Sequence, residues 1–381
     1  MRIFISAGEP SGDLHGANLI RAIQQLRPDA DCVGFGGASM ASAGGRLLYP
    51  LTQHAVMWFG RVFAEVPKFL SLLSLADRWF RHHRPDVVVL IDYPGFHWWL
   101  ARRAKFHGIP VVYFVPPQLW GWGGWRIKKM RRFVDHVLCN LPFEEEWYRS
   151  RGVTAHHVGH PYFDELAGQR LDPEFLAAAS APGRPIVGLL PGSRNQEIKR
   201  NLPTMIRAAS RVRAARPDVR FLVAAFREAH RQQIIQYLRD KDVPAEVHVG
   251  RTPEIIELSQ ACVAVSGSVG LELLYRLKPT VVVYRISPWE RQLSNWLKTS
   301  RYISLVNLLA GQELFPEFLA VQCPAEQIAG QVLRWLNEPA AATLVRGQLA
   351  ALKEKVARPG ACGRAAQFVV DLLEKDLPQA A

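Results

Sequence analysis

The sequence has few cysteines and none of the spacings that are typical of a disulfide framework or a zinc site. It contains five cysteines, an odd number, which lie far apart and form no Cys-x-x-Cys pair. They are Cys32, Cys139, Cys262, Cys323 and Cys362. This distribution argues against a secreted, disulfide-stapled domain and favours a reducing cytoplasmic compartment.

Long apolar runs are also absent. The sequence has no stretch of about 18 uninterrupted apolar residues, so no membrane-spanning helix is predicted. The segment 58–80 comes nearest, but charged residues interrupt it at Arg61, Glu65 and Lys68. The first residues, MRIFISAG, read as a β-strand, and no signal peptide is expected before them. We therefore expect a cytoplasmic protein.

Acidic residues are outnumbered by basic ones. The 381 residues include 34 Asp and Glu against 47 Lys and Arg, which gives a formal net charge of +13. Such an excess favours anionic partners, among them nucleic acid, acidic lipid and phosphorylated metabolites. The length is sufficient for two domains, and no low-complexity tract occurs.

Apolar, β-branched runs alternate with helical stretches, which predicts parallel sheets covered by helices on both faces. Strands are predicted at 2–6, 32–35, 86–91, 110–115, 135–139, 185–190, 219–224, 245–249, 262–265 and 279–284, with 156–158 as a further candidate. A glycine–serine turn follows a strand in each half. We therefore expect an α/β fold of two doubly wound Rossmann-like domains that face each other across a cleft. The predicted domains are residues 1–170 and 182–345, followed by C-terminal helices at 346–381 that pack back on the first domain.

The first of these turns, GEPSGD at residues 8–13, lacks the glycine spacing of a dinucleotide-binding loop. Its two carboxylates, Glu9 and Asp13, would also repel a pyrophosphate. One interpretation is an acceptor-side loop that binds sugar hydroxyls through Glu9, Ser11 and Asp13. The alternative is a helix N-terminus in which Ser11 or Asp13 serves as the cap.

Two turns in the second half are suited to phosphate. In PGSRNQE, Gly192 allows close backbone approach, Ser193 offers a hydroxyl, and Arg194 supplies a planar cationic fork. In SGSVGLE, small residues leave room for a diphosphate and a later carboxylate could accept two ribose hydroxyls. These residues are Ser266, Gly267, Ser268 and Glu272. Together the turns predict a nucleotide diphosphate site, although each alone also fits a capped or tightly packed helix start.

An aspartate follows the most apolar strand of the first half. Asp92 comes directly after VVVLI and could accept a proton from an attacking hydroxyl in a partly dry site. His97 is the second candidate base, although lone histidines more often pack or form a hydrogen bond. The alternative for Asp92 is a capping role ahead of Pro94.

Aromatic and basic side chains mix in VPPQLWGWGGWRIKKMRRF, residues 115–133. The tryptophans, Trp120 among them, suit stacking or acyl-chain contact, and the cations suit phosphate. The same mixture suits single-stranded nucleic acid, and a solvated basic helix is the simpler alternative.

The apolar stripe within 58–80 predicts either a core helix or contact with a membrane surface. The residues assigned to membrane or acyl contact are Val62, Val66, Phe69, Leu70, Leu72 and Leu73.

No metal or other cofactor is expected. The Asp-x-Asp triplets at 29–31 and 240–242 lie in polar, helix-ending stretches rather than after an apolar strand. The histidine pairs at 82–83 and 156–157 lack helical ligand spacing and acidic neighbours. A reaction at the predicted nucleotide diphosphate site would therefore rely on side chains and backbone amides rather than on a metal.

Eight short motifs follow one another along the chain and together resemble those of lipid-A-disaccharide synthase. They are GEPSGD, IDYPGF, VPPQLWGW, LPFE, GHP, LLPGSRNQEI, SGSVGLE and SLVNLLAG, spread over nearly the whole chain. The resemblance implies an inverting glycosyltransferase of the B-type fold, acting peripherally at the inner membrane in lipopolysaccharide synthesis. It further implies that UDP-2,3-diacylglucosamine and 2,3-diacylglucosamine 1-phosphate are joined into the β-1,6 disaccharide of lipid A with release of UDP.

The resemblance also implies residue roles. It makes Asp92 and Arg194 catalytic and places the nucleotide at Ser266, Gly267, Ser268, Glu272 and Asn307. The sequence departs from the family pattern at Gly95 and His97, where Asp and Asn are usual, and this concerns the acceptor side. An anionic membrane surface is the expected partner, and nucleic acid is not. Two other functions fit the motifs less fully: another UDP-sugar enzyme of this fold, such as a 2-epimerase or a peptidoglycan-type transferase, and a non-catalytic protein that binds RNA or membrane.

Overall fold

The computed structural model describes residues 1–54, 62–121, 123–180, 183–241, 243–297 and 301–375. These residues form two compact units. The first comprises Met1–Ala167 and the residues from Arg358 onward, and the second comprises Gly168–Ala357. The chain therefore leaves its first unit once and returns to it near the C-terminus.

The first unit is built on one parallel sheet. Its strands are β1 (Arg2–Ala7), β2 (Asp31–Phe35), β3 (Arg46–Tyr49), β4 (Val87–Ile91), β5 (Val111–Phe114), β6 (His136–Cys139) and β7 (Ala155–His157). Their order is β3-β2-β1-β4-β5-β6-β7. The intervening helices are α1 (Pro10–Leu26), α2 (Ala38–Ser42), α3 (Val62–His83), α4 (Pro94–Phe106), α5 (Ile127–Phe133), α6 (Pro142–Arg149) and α7 (Tyr162–Gly168).

The second unit repeats this plan. Its strands are β8 (Ile186–Leu190), β9 (Arg220–Ala225), β10 (Ala245–Val249), β11 (Ala261–Ala264), β12 (Thr280–Arg285) and β13 (Glu317–Ala320), in the parallel order β10-β9-β8-β11-β12-β13. The helices are α8 (Pro173–Ala179), α9 (Asn195–Ala215), α10 (Glu228–Leu238), α11 (Thr252–Leu258), α12 (Val269–Tyr275), α13 (Pro288–Leu297), α14 (Leu305–Ala310), α15 (Ala325–Asn337) and α16 (Pro339–Val356). The predicted α/β architecture with two doubly wound parallel sheets is confirmed.

The last helix, α17 (Ala361–Lys375), belongs to the first unit. Its N-terminus is fixed by Asp164, whose carboxylate accepts hydrogen bonds from the backbone amides of Gly360, Ala361 and Cys362. Its apolar side packs in one cluster with α1. By contrast α16, which contains residues 345 and 346, belongs to the second unit.

Both faces of the first sheet are covered, because successive residues of a strand point to opposite sides. Val88 and Leu90 of β4 pack in a cluster with α3, α4, α5 and α6. Val87, Val89 and Ile91 pack on the other face, with α1 and α17. This explains why the strand VVVLI is apolar throughout rather than alternating.

The apolar stripe of α3 divides into a buried and an exposed part. Leu72 and Leu73 are only 3% and 8% exposed and lie in the core under the sheet, so their assignment to membrane contact was wrong. Phe69 is half-buried, with its ring 5.6 Å from that of Phe96. Val66 and Leu70 remain exposed, at 42% and 60%. The side chain of Val62 lies outside the described residues.

This division predicts effects of very different size for substitutions at two neighbouring leucines, Leu72 and Leu70. Leu72→Ala should lower the free energy of unfolding by about 2–5 kcal/mol, because it leaves a cavity in the core. Leu70→Ala, the matched control two residues earlier, should change it by no more than about 0.5 kcal/mol. Urea unfolding of the purified variants measures both values. Equal and small effects would contradict the placement of Leu72 in the core.

Candidate functional site

The strand order of each sheet reverses at one point, which lies between β1 and β4 in the first unit and between β8 and β11 in the second. Loops that follow the two strands at such a point diverge to opposite faces and leave a crevice at the carboxyl ends. The four turns selected from the sequence follow these four strands. Residues 8–13 and Asp92 share one crevice, and residues 191–194 and 265–268 share the other.

The turn after β1 touches the turn after β4. A Cβ atom on Gly8 would overlap the ring of Tyr93, so only glycine allows this approach. Glu9 is half-buried and precedes Pro10, the first residue of α1, and Ser11 is exposed. Glu9 and Ser11 therefore remain candidates for an acceptor-side role.

Asp13 has a different role from the one predicted. It is 5% exposed, and its Oδ1 accepts hydrogen bonds from the amides of Gly37 (2.7 Å) and Met40 (3.1 Å), while Oδ2 accepts one from Ser39 (2.9 Å). The carboxylate thus fixes the loop between β2 and α2 and caps α2 rather than its own helix. Its assignment to substrate hydroxyls was wrong, because its oxygens are buried and occupied.

Asp92 adopts an unusual backbone conformation. Asp92 and Tyr93 have φ values of 51° and 49°, in the left-handed region that costs non-glycine residues about 1–3 kcal/mol each. The Asp92 carbonyl oxygen accepts hydrogen bonds from the Tyr113 hydroxyl and from Nδ1 of His97, both at 2.6 Å. These two bonds hold the peptide in place, and the half-buried carboxyl group of Asp92 lies at the end of β4.

His97 supports Asp92 from behind. Because Nδ1 must donate to the carbonyl, Nε2 is the acceptor for the Ser6 hydroxyl, 2.9 Å away. The ring is fully buried, and burial lowers the pKa of His97 to about 4, so it is neutral near pH 7. The prediction that His97 contacts the acceptor or serves as a base was therefore wrong: it positions Asp92.

Trp120 is tied to the loop that follows β6. Its Nε1 donates to Glu144 Oε1 at 2.8 Å, and Glu144 Oε2 accepts from the amides of Asn140 (3.2 Å) and Leu141 (2.9 Å). Glu144 is fully buried, and burial raises its pKa from 4.5 to about 7. Trp120 is half-buried with its ring edge-on to Phe143, so an acceptor-side contact of its indole stays a prediction.

The PGSR turn carries an internal carboxylate. Glu197 Oε2 accepts hydrogen bonds from the amides of Ser193 (3.1 Å) and Arg194 (3.2 Å), and Oε1 contacts the Arg194 guanidinium at 3.2 Å. Gly192 has φ of +113°, and a Cβ there would collide with Glu197. The two amides expected to point at a diphosphate are thus occupied by Glu197. The Arg194 guanidinium is 68% exposed.

The SGSVGLE turn is more open. Gly267 and Ser268 are exposed, whereas the Ser266 hydroxyl donates to the carbonyl of Ile303 at 2.6 Å. Glu272 is 3% exposed, and its Oε1 accepts from Arg276 Nε at 3.1 Å. Small side chains therefore surround the start of α12 as predicted, and the carboxylate lies one turn inside it.

Asn307 does not have a nucleotide-binding role in this structure. Its side-chain amide donates to the Phe315 carbonyl and to Glu317, both at 2.7 Å, and its oxygen accepts from the amides of Leu314 (2.8 Å) and Phe315 (2.9 Å). All hydrogen-bonding positions of a fully buried amide are thus used. Its assignment to nucleotide binding was wrong, because it joins α14 to the start of β13.

Three residues that shape these loops were missed in the sequence: Tyr113, Glu144 and Glu197. The two glutamates had a readable signal, because each lies three residues after the residue that precedes a helix, as in a capping box. Tyr113 lies inside the buried strand β5 and gives no such signal.

Within the residues that the structure describes, two kinds of feature are absent: groups of metal ligands and membrane-spanning helices. Within those ranges, no three His, Cys, Asp or Glu side chains are grouped so as to hold a metal ion. No helix within them is long and apolar enough to span a bilayer.

The family model described as lipid-A-disaccharide synthetase matches residues 3–369 of the chain. The chain is 36% identical over 374 residues to the lipid-A-disaccharide synthase of Myxococcus xanthus, which covers 98% of this chain and 97% of that protein.

Solved structures resemble the chain in fold at low identity. A putative UDP-N-acetylglucosamine 2-epimerase from Listeria monocytogenes superposes with a TM-score of 0.65 at 13% identity, covering 98% of this chain and 96% of that one. The calicheamicin glycosyltransferase CalG4 gives a TM-score of 0.62 at 14% identity, covering 99% of each chain. These likenesses concern the fold alone, and they confirm the predicted glycosyltransferase B-type architecture.

The buried Glu144 generates a pH-dependent prediction. Because its pKa is raised in the folded state, its contribution to stability is fully present below about pH 4.5 and is lost as the pH rises through about 7. The shift corresponds to about 3 kcal/mol. Between pH 5 and pH 8, the wild type should therefore lose up to this much unfolding free energy relative to Glu144→Gln.

Chemical unfolding of both proteins at the two pH values measures the difference. Comparing variants removes the titration of other groups that both proteins share. Glu146→Gln, a change at an exposed position two residues away, serves as the control and should behave as the wild type does. A difference between wild type and Glu144→Gln that stays constant with pH would refute the assignment.

Proposed function

The chain belongs to the lipid-A-disaccharide synthase family and is a glycosyltransferase of lipid A biosynthesis, and we propose that it uses two acylated substrates. The donor is UDP-2,3-diacylglucosamine and the acceptor is 2,3-diacylglucosamine 1-phosphate. The products are the β-1,6-linked disaccharide 1-phosphate and UDP. The observation that carries this proposal is the match across residues 3–369, since it includes every turn at the two strand-order reversals.

Asp92 is the proposed general base. The acceptor's 6-hydroxyl oxygen attacks the anomeric carbon, the bond from that carbon to the diphosphate breaks, and the proton of the hydroxyl passes to the Asp92 carboxylate. The electron pair of the broken bond leaves with UDP, and a single displacement inverts the anomeric configuration. The fixed peptide of Asp92 supports this role, because a base is effective only when its oxygen is held within reach of the hydroxyl.

Arg194 is the proposed electrostatic partner of the leaving group. Its exposed guanidinium can pair with the diphosphate through two parallel hydrogen bonds, with the Ser193 hydroxyl beside it. Glu197 stiffens the loop from within by holding the amides of Ser193 and Arg194. In this proposal Gly192 contributes the sharp turn, and the diphosphate contacts the outer side of the loop.

The remainder of the nucleotide is assigned to the turn after β11. Ser266, Gly267 and Ser268 leave the backbone open to the diphosphate. Glu272 is the proposed acceptor of ribose hydroxyls; it is 3% exposed and bonded to Arg276, so this role requires its carboxylate to turn outward when the nucleotide binds. On the acceptor side, Glu9, Ser11 and the half-buried Trp120 are the proposed contacts.

We also propose that the protein works peripherally at the inner membrane, where both acylated substrates reside. Val66 and Leu70 are the exposed apolar residues of α3 that support this placement. The expected partner is an anionic membrane surface, consistent with a formal net charge of +13.

The proposed reaction predicts a specific pair of products. The purified protein, supplied with both acylated substrates in detergent, should release UDP in a one-to-one ratio with a disaccharide identified by mass spectrometry. UDP-N-acetylglucosamine, which has no acyl chains at these positions, should be a poor donor. Conversion of that sugar nucleotide to its 2-epimer without transfer would overturn the proposal in favour of the epimerase activity of the fold's other members.

The proposed roles predict losses of turnover without unfolding. Asp92→Asn and Arg194→Ala should each lower kcat by about 10²–10³. Arg231→Ala is a matched control, since Arg231 is also an exposed arginine paired three residues along a helix with a glutamate, Glu228. It should retain wild-type turnover. Near-normal kcat in Asp92→Asn would remove Asp92 as base, while thermal unfolding checks that each variant is folded.

A further inference from the structure

The outer side of α4 carries an aromatic and basic stripe that the reaction does not use. Trp99 and Phe106 are 56% and 76% exposed, unusually large values for such side chains. Arg102 and Arg103 lie between them and are exposed as well. The four positions fall within an arc of about 100° of the helix, so they form one continuous face.

The neighbouring helix extends this face. α5 packs beside α4, on the same side of the sheet, and exposes Lys128, Lys129, Arg131 and Arg132. Trp125, just before α5, is 65% exposed. The aromatic–basic surface is defined here as the exposed side chains of both helices together with Trp125.

Charge on this surface has one sign. The helix α4 contains three basic residues and α5 four, and neither contains an acidic residue. Acidic groups that approach from neighbouring elements are Asp77 of α3, 3.7 Å from Arg103, and Asp135, which pairs with Lys105 at 2.7 Å. Arg102 and the four cations of α5 therefore present positive charge to the solvent.

We infer that the aromatic–basic surface is a docking site for an anionic lipid bilayer, with the aromatic rings inserted at the headgroup level. Tryptophan and phenylalanine at this depth bury apolar area, and each nearby lysine or arginine adds electrostatic attraction to an anionic leaflet. Exposed Val66 and Leu70 of α3, which packs against α4, continue the surface on its other side. The inference rests on the proposed membrane association and identifies the face that makes it.

The position of α4 connects the aromatic–basic surface to the proposed base, Asp92. The helix α4 begins at Pro94, two residues after Asp92, so the element that docks also starts beside the proposed base. A bilayer bound along α4 would therefore bring acylated acceptors to the level of the β4 carboxyl end. This is why a lipid surface is favoured over single-stranded nucleic acid, which aromatic and basic side chains also bind.

The test is co-sedimentation of the full-length protein with vesicles. One set contains phosphatidylcholine alone, and the other contains equal parts of phosphatidylcholine and phosphatidylglycerol. The wild type should bind the anionic vesicles more tightly, and added salt should weaken the binding. Trp99→Ser combined with Phe106→Ser should weaken it by about tenfold or more, because two rings no longer leave water.

A matched control uses two equally exposed apolar residues of the second unit, Trp289 and Leu344, at 63% and 64%. Trp289→Ser combined with Leu344→Ser should bind vesicles as the wild type does. Both double variants should retain wild-type kcat on detergent-dispersed substrates and wild-type thermal unfolding. Phe106→Ser alone, at the most exposed of these positions, should give a smaller loss of binding in the same direction.

The possible results distinguish a wrong docking face from a failure of the proposed membrane association itself. If the wild type binds neither vesicle, the membrane association itself fails, whatever the surface. If the wild type binds anionic vesicles and the Trp99 and Phe106 variant binds equally well, the docking face is wrong. Two further results for the Trp99 and Phe106 double variant would also overturn the lipid assignment. One is a change of its oligomeric state on gel filtration, and the other is a loss of binding to a single-stranded RNA probe while its binding to vesicles is unchanged.

Discussion

Two hydrogen bonds to one carbonyl oxygen, from the Tyr113 hydroxyl and the His97 imidazole, fix the peptide after Asp92. The backbone there is left-handed at two successive non-glycine residues, which is unfavourable by about 1–3 kcal/mol at each. Two such bonds contribute about 0.5–1.5 kcal/mol apiece, so the remainder must come from packing of β1, β4 and β5 around them. The arrangement converts a strained turn into a defined direction for the Asp92 carboxyl group, and the rest of the first unit's site depends on it.

Three carboxylates in the loops have structural roles. Asp13, Glu144 and Glu197 each accept hydrogen bonds from two or more backbone amides, and each fixes the start of a helix or the loop before it. These groups are therefore held in place as structural acceptors. A site made of loops is rigid only where such acceptors satisfy the amides.

Much of the fold could be predicted from the sequence. The buried strands and the turns at both strand-order reversals follow from apolar runs and glycine positions. The strands β3 and β13 were not predicted, because they are four-residue strands at the sheet edges with half-buried side chains. The roles of Asp13 and Asn307 could not be predicted, because their partners lie 24–27 and 7–10 residues away and come together only through tertiary packing.

The apolar stripe of α3 and the aromatic residues of α4 show why the partner of an apolar helix face is hard to identify from sequence. A period of 3.6 residues reveals that a helix has an apolar face, but the partner of that face depends on neighbouring helices. In α3 the core takes Leu72 and Leu73, whereas in α4 the core takes Phe96 and Trp98 and leaves Trp99 outside. Two tryptophans that are adjacent in sequence thus lie in different environments, one in the core and one exposed to solvent. Because the outward ring lies beside exposed basic side chains of α4 and α5, this face of the helix that begins beside Asp92 is where we propose lipid docking.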